Sequence, residues 1–262
     1  MRGEFLRALI LSNNQEIEVD SKKYFLKIDP RGIMFSCLYV SGEFNFSFCS
    51  TDLLFLFGNS IFEKEINISD SKIKFLNFQG TKILSIDAQR LVCESQVFLR
   101  DGFESNGKIN FHSAQIGGDL DCSNGKFYNE NGYALNCEKS KIDGSICFNN
   151  KNKITINCDK ALIHGSLYLF SVNIKGNINF DSLNIDNTLN IIKLNIIGNL
   201  ILNSSIIKEI IINDNFWEKE DLKELFLDGL EYKHLSGENI DSLSLINYLK
   251  KCQSLNHNHI NS

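Results

Sequence analysis

The stretch "LNIDNTLNIIKLNIIGNLIL", residues 183–202, belongs to a repeat that leaves this chain few ways to fold. Ile163, Ile174, Ile185, Ile196 and Ile207 stand eleven residues apart. Four residues after each comes a second apolar residue: Leu167, Ile178, Leu189, Leu200 and Ile211. Two further on comes a third: Leu169, Phe180, Ile191 and Leu202. Gly165, Gly176, Asn187 and Gly198 lie between the first two. The second position can be followed back through Ile156, Ile146, Leu135, Leu120, Ile109, Val97, Ile86, Leu76, Ile66, Phe55, Phe44 and Ile33. Steps are ten to twelve residues, except fifteen between Leu120 and Leu135.

Apolar residues at i and i+2 with a polar residue between them describe a short strand with one buried face. Ile, Val and Phe favour that state, and no helical i, i+3, i+4 spacing competes. A strand this short buries its face only when stacked on copies of itself, each hydrogen-bonded to the next at ~4.8 Å. One strand per eleven residues is too short a path for a closed coil with a filled interior. The expected architecture is therefore an all-β, right-handed parallel β-helix with two short strands per coil of about 22 residues and about eight coils. It should span residues 28–230. Leucine-rich repeats require a longer unit with a helical return, pentapeptide coils a period of five, and an antiparallel barrel regular hairpin turns.

The alphabet follows from the coil. Leu and Ile point in, and Gly and Asn mark bends where φ > 0 must be tolerated. Outward strand positions are often Asn, including Asn45, Asn67, Asn110, Asn157, Asn179 and Asn190. Spacings of 22, as from Asn157 to Asn179, allow side-chain amide ladders along the rod. Leu167, Ile178, Leu189 and Leu200 should be buried, and Asn179 and Asn190 largely exposed. An open rod needs capped ends. "GEFLRALIL" places Phe5, Leu6, Leu9 and Ile10 at helical spacing, so residues 1–12 read as an N-terminal cap helix. "LFLDGLEY" reads as a last coil, with Leu225 and Leu227 inward. "DSLSLINYLKKC" reads as a C-terminal cap helix over 240–252, followed by a flexible tail over 253–262.

The net charge of −5 and the lack of any long Lys/Arg run argue against nucleic acid as partner. No apolar run approaches the ~20 residues of a transmembrane helix. Arg2, Glu4 and Arg7 interrupt the N-terminal apolar stretch, which is therefore not read as a secretion signal. The eight cysteines, none in a C-x-x-C pair, are accordingly expected to be reduced and the protein cytoplasmic.

Candidate chemistry is sparse. The coil is lengthened at "SNGKFYNENGY", residues 123–133, and loops on rigid scaffolds often bind. Lys126, Tyr128 and Tyr133 are its candidate binding residues. Asp119, Asp121 and Asp143 form an alternative acidic site, of the kind that carbohydrate-cleaving β-helices build on adjacent coils. "IGGDL" at 116–120 lacks the G-x-G-x-x-G pattern and fits a repeat bend. Cys122, Cys137 and Cys158 occupy inward positions, while Cys147 should point out. His112, His164 and His234 are isolated, and Cys252, His257 and His259 fall in the tail. No metal site or cofactor is expected.

"MRGEFLRALIL", "GIMFSCLYVSGEFNF", "LFLDGLEY" and the segment "LRDGFESNGKINFHSAQIGGDLDCSNGKFYNENGYALNCEKSKIDGSICF" resemble a bacterial family of β-helical repeat proteins. Its members are often labelled membrane-associated oxidoreductases or left uncharacterised. The resemblance implies a β-helix body and, in some members, a helical membrane-associated part. It brings no catalytic motif to any position of this sequence, and a peripheral membrane link enters only through it. A complete repeat without convergent chemistry suggests a non-catalytic scaffold or interaction module with a protein partner. An enzyme or an inactive truncated paralogue is the alternative.

Overall fold

The structure, a computed structural model, describes residues 1–12, 15–19, 22–29, 32–149, 154–213 and 222–237. The chain winds into a parallel β-solenoid of about nine turns, with coils about 22 residues apart. One column of the second apolar repeat position illustrates the stack. Phe44 pairs with Ile66, Ile66 with Ile86, Ile86 with Ile109, Ile109 with Leu135, Leu135 with Ile156, Ile156 with Ile178, Ile178 with Leu200, and Leu200 with Leu225.

Each coil has four sides. The two strands anchored by the eleven-residue repeat form the first side (Ile33–Ser36 and its stacked partners) and the third side (Phe44–Asn45 and its partners). A second side begins at Tyr39–Val40, stacked on Ile61–Phe62. A fourth begins at Ser50 and Thr51, paired with Lys72 and Ile73. The fourth side runs directly into the first within single long strands, as in Ser50–Gly58 and Asn184–Ile192. These extra sides account for the inward apolar residues outside the two anchored strands, such as Phe62, Ile83, Ile116 and Ile163.

The interior is one continuous column of buried side chains. Leu167, Ile178, Leu189 and Leu200 are fully buried, as their register requires. Phe44, Phe46, Phe55, Phe57, Phe62 and Phe78 interlock at the N-terminal end, mostly tilted or edge-to-face. Ile and Leu fill the later coils, and Cys122, Cys137 and Cys158 are buried between the two regions. The seven described cysteines carry no disulfide.

The left-handed bends differ from expectation. Gly176 and Gly198 do have positive φ, at 133° and 153°. Most such corners, however, are held by other residues: Asp70, Arg90, Ser113, Lys139, Lys160, Ser182 and Ser204 follow the third side at φ between 52° and 56°. The preceding strand supports them. Its outward Asn accepts the amide N–H two residues on, as Asn45 does from Ser47 and Asn67 from Ser69, both at 3.0 Å. Gly165 serves close approach instead, since a Cβ there would lie 2.5 Å from the Gly144 carbonyl oxygen.

Helix α1, Gly3–Leu11, caps the N-terminal end. Leu6 and Ile10 are buried in the rod, while Phe5 faces solvent at 59% exposure, because the helix touches the coil along only one stripe. The chain before it extends the second side: Ser41 N–H donates to Met1 O at 2.9 Å and Gly3 N–H to Ser41 O at 3.0 Å. An antiparallel pair, Gln15–Val19 with Lys22–Leu26, follows the helix; the repeat gives no sign of it. At the other end Leu227 is buried and Leu225 half-buried, and a further strand, Glu231–Ser236, extends the rod past residue 230. The segments 240–252 and 253–262, expected as a cap helix and a tail, lie outside the described residues. No helix among the described residues is long and apolar enough to cross a membrane.

Candidate functional site

The inserted segment is shorter than its sequence suggests. Residues 124–127 keep the coil, with Lys126–Phe127 on the second side paired to Glu104 and Ser105. Only 128–133 bulge before the third side resumes at Leu135. Asn129 closes this bulge on itself, its Nδ2 donating to the carbonyls of Asn131 at 3.2 Å and Tyr133 at 2.9 Å. Thr155 Oγ1 fastens the base, donating to Gly132 O and accepting from Ala134 N–H. Tyr128 is 54% exposed and lines a groove of about 320 Å³ with Phe127, Ala134, Ile154, Thr155 and Lys175. Tyr133 is half-buried and does not line the groove, and burial raises its phenol above the usual value. Lys126 is ion-paired to Glu104 at 2.8 Å, and Glu104 also meets Lys82 at 3.2 Å. Of the three candidate binding residues, the structure brings only Tyr128 to the groove.

The three aspartates have separate partners. Asp119 Oδ1 accepts from Ser145 N–H at 2.7 Å. Asp121 accepts from Arg100 Nη1 at 2.8 Å and from Ser123 N–H at 3.0 Å. Burial pushes the Asp121 carboxyl upward, but the bonds from Ser123 and Arg100 outweigh it and hold the group below its ordinary value. Asp143 pairs with Lys141 at 3.2 Å and approaches His164 Nε2 at 3.7 Å. His164 Nδ1 lies 2.5 Å from Asp186, so the bend before the first side carries a carboxylate–imidazole–carboxylate row over three coils. Sequence reasoning left out Asp186, although its 22-residue distance from His164 was the available signal. All three members of this row are at least 38% exposed. Among the described residues no set of His, Cys, Asp and Glu side chains is placed to hold a metal ion.

His112 faces Glu138 at 3.6 Å, and His234 is exposed on the last strand. Cys252, His257 and His259 lie outside the described residues. Cys147 does point outward, but burial, with Asp121 and Asp119 nearby, pushes its thiol up to about 11, unlike a reactive thiolate. In "IGGDL", Gly117 N–H donates to Cys93 O at 2.8 Å, and a Cβ there would lie 2.3 Å from Glu94 O. That glycine lets coils touch.

Two features run along the rod. On the third side Asn179 Nδ2 donates to Asn157 Oδ1 at 2.9 Å, Asn157 to Asn136 at 2.7 Å, Asn136 to Asn110 at 2.9 Å, and Asn110 to Asp87 at 3.3 Å. Asn110, Asn136 and Asn157 are buried and Asn179 is half-buried, because stacked amides shield one another. Asn190, also half-buried, stands on the first side. Both asparagines are thus less exposed than expected.

The outward face of the first side is the second feature. Its central positions, one per coil, read Met34, Leu56, Asn77, Phe98, Asp121, Cys147, Tyr168, Asn190 and Ile211. Leu54, Phe75, Phe170 and Ile192 flank them on the same face. Met34 is 73% exposed and the other apolar members are half-buried against their neighbours along the stack. Phe75 and Phe98 meet edge-to-face at 5.2 Å, Tyr168 and Phe170 lie 5.4 Å apart, and the Arg100 guanidinium sits 4.1 Å above the Phe98 ring. The repeat spacing makes the positions from Met34 to Asn190 outward but gives no notice of the apolar ones among them, and it places Ile211 inward; a register shift after Ile185 instead pairs Ile210 with Leu189 and turns Ile211 outward. Comparison of the chain with models of known protein families, with curated proteins and with solved structures found no match.

Proposed function

We propose that this chain is a non-catalytic β-helical scaffold that binds a protein partner through the outward face of its first side. The observation that carries this reading is the apolar and aromatic stripe from Met34 to Ile211. A monomeric surface rarely keeps so extended a row of apolar groups in water, and such rows mark contact surfaces. Aromatic side chains on a rigid sheet offer contact area at low entropic cost. The coils also suit the role, because each is fixed by its neighbours and the face is preorganised.

A pull-down from cells that express the protein tests this. The immobilised chain should retain proteins that the Phe98→Ser/Tyr168→Ser variant, equally folded by circular dichroism, does not. An identical set on both would contradict the assignment of the binding face.

A further inference from the structure

We infer that the first side docks onto the first side of a second copy, with the two rods antiparallel. This rests on the reading of that side as a binding face and names its occupant.

The order of side chains along the stripe is nearly symmetric. Ser236, stacked on Ile211, is the tenth outward position of this column, and the midpoint of the ten falls between Asp121 and Cys147, which pair in adjacent coils; only the end pair, Met34 and Ser236, is chemically unlike. Counting outward from that midpoint, Phe98 and Tyr168 are equivalent, then Asn77 and Asn190, then Leu56 and Ile211. The row is therefore close to a chemical palindrome. A two-fold axis crossing the stripe at its midpoint sets aromatic against aromatic, amide against amide and aliphatic against aliphatic. This is the self-complementarity an isologous interface requires.

Charge selects the antiparallel arrangement. Arg100 and Asp121 are paired in neighbouring coils of the stripe. With parallel rods every coil faces its own copy with the strand direction reversed, so Asp121 opposes Asp121, like charge against like, while Arg100 opposes Gln96. In the antiparallel arrangement Asp121 opposes Cys147, and Arg100 opposes Phe170, whose ring can take a cation. No like charges then face each other at these positions.

The size is sufficient. About nine strands at ~4.8 Å give a length of roughly 40 Å, and three outward positions per strand give a width of roughly 15 Å. Two such faces bury on the order of 1,200 Å² in total, the lower bound for a specific interface, so micromolar self-association is expected.

Sedimentation of the full chain at rising micromolar concentration should show a monomer–dimer equilibrium. Phe98→Lys and Tyr168→Glu, each alone, should weaken it at least tenfold. The double variant Phe98→Lys/Tyr168→Glu should restore it, because the antiparallel contact brings each introduced charge against its opposite. Circular dichroism melts on all variants check that the rod persists. A dimer that single substitutions leave unchanged overturns the inference, as does a double variant that stays monomeric. A wild-type monomer whose pull-down partners are still lost in Phe98→Ser/Tyr168→Ser overturns self-docking alone and leaves the scaffold reading standing. A wild-type monomer with unchanged partners removes both.

Discussion

Asn136 has an amide of another coil on each side of it, and its position explains why this chain uses so much asparagine. Its Nδ2 donates to Asn110 while its Oδ1 accepts from Asn157. Only a side chain with both a donor and an acceptor can continue such a row, and buried polar groups must be satisfied. Asp87 accepts but cannot donate, and it stands at the terminal acceptor position. Asn136→Asp removes the donor and sets a buried carboxylate against the Asn110 oxygen, at a cost of about 2–4 kcal/mol at neutral pH. The introduced acid should titrate higher in the folded than in the unfolded state, because its neutral form can donate. The native state then binds more protons, so the loss should shrink as pH falls through that raised value and grow as pH rises. Urea unfolding of wild type and variant at several pH values measures this; a pH-independent difference would refute the ladder. Phe48 raises a different point: it holds φ at 56° while 80% exposed. A left-handed conformation costs a non-glycine residue roughly 1–2 kcal/mol, and Asn tolerates it best after Gly. Phe48→Asn should therefore raise the melting temperature by about 2–4 °C. A lower melting temperature would mean that the ring has a stabilising contact.

At the scale of elements, α1 covers the first coil and the edge of the second side. Its Leu6 and Ile10 lie on the buried aromatic end of the rod. Deleting residues 1–11 should expose that end and its unpaired strand edge, giving open-ended aggregates by light scattering and a lower melt. A deletion equal to wild type in both respects would show that α1 is not a cap. The helix was legible from the spacing of Leu6 and Ile10, but Phe5 was not separable from them: spacing alone cannot say how wide a stripe the rod contacts. The first and third sides were legible because every coil places an apolar pair there. The second and fourth carry Ile163, Ile174, Ile185, Ile196 and Ile207 in the later coils but were not legible as strands, since Ser60, Thr81, Ser105 and Ala114 take inward positions on or beside them earlier and blur the period. The antiparallel pair at 15–26 lies outside the repeat and lacks a strong turn signature. The candidate site was least legible. A sequence pattern separates inward from outward, but ion pairs such as Lys126–Glu104 and the row through His164 depend on which residues share a column, and that follows only from the register.

Across the whole molecule, parallel register is the property from which everything else follows. It stacks the inward residues into one core, the amides into a ladder and the apolar outward residues into the stripe on the first side. Register is also a sharp quantity, because a slip of two residues along a strand moves a side chain by ~6.6 Å. Cys147 provides a native probe, since it pairs directly with Tyr168 one coil away, while Phe170 pairs with Asn149. A thiol placed by Tyr168→Cys should stand ~5 Å from Cys147 between Cα atoms, within disulfide reach, whereas one placed by Phe170→Cys should stand ~8 Å away, beyond it. Mild oxidation of monomeric protein followed by peptide mapping should therefore find a bridge from Cys147 to the introduced thiol in Tyr168→Cys and none in Phe170→Cys. A bridge formed as readily from position 170, or from neither position, would contradict the register and with it the stripe.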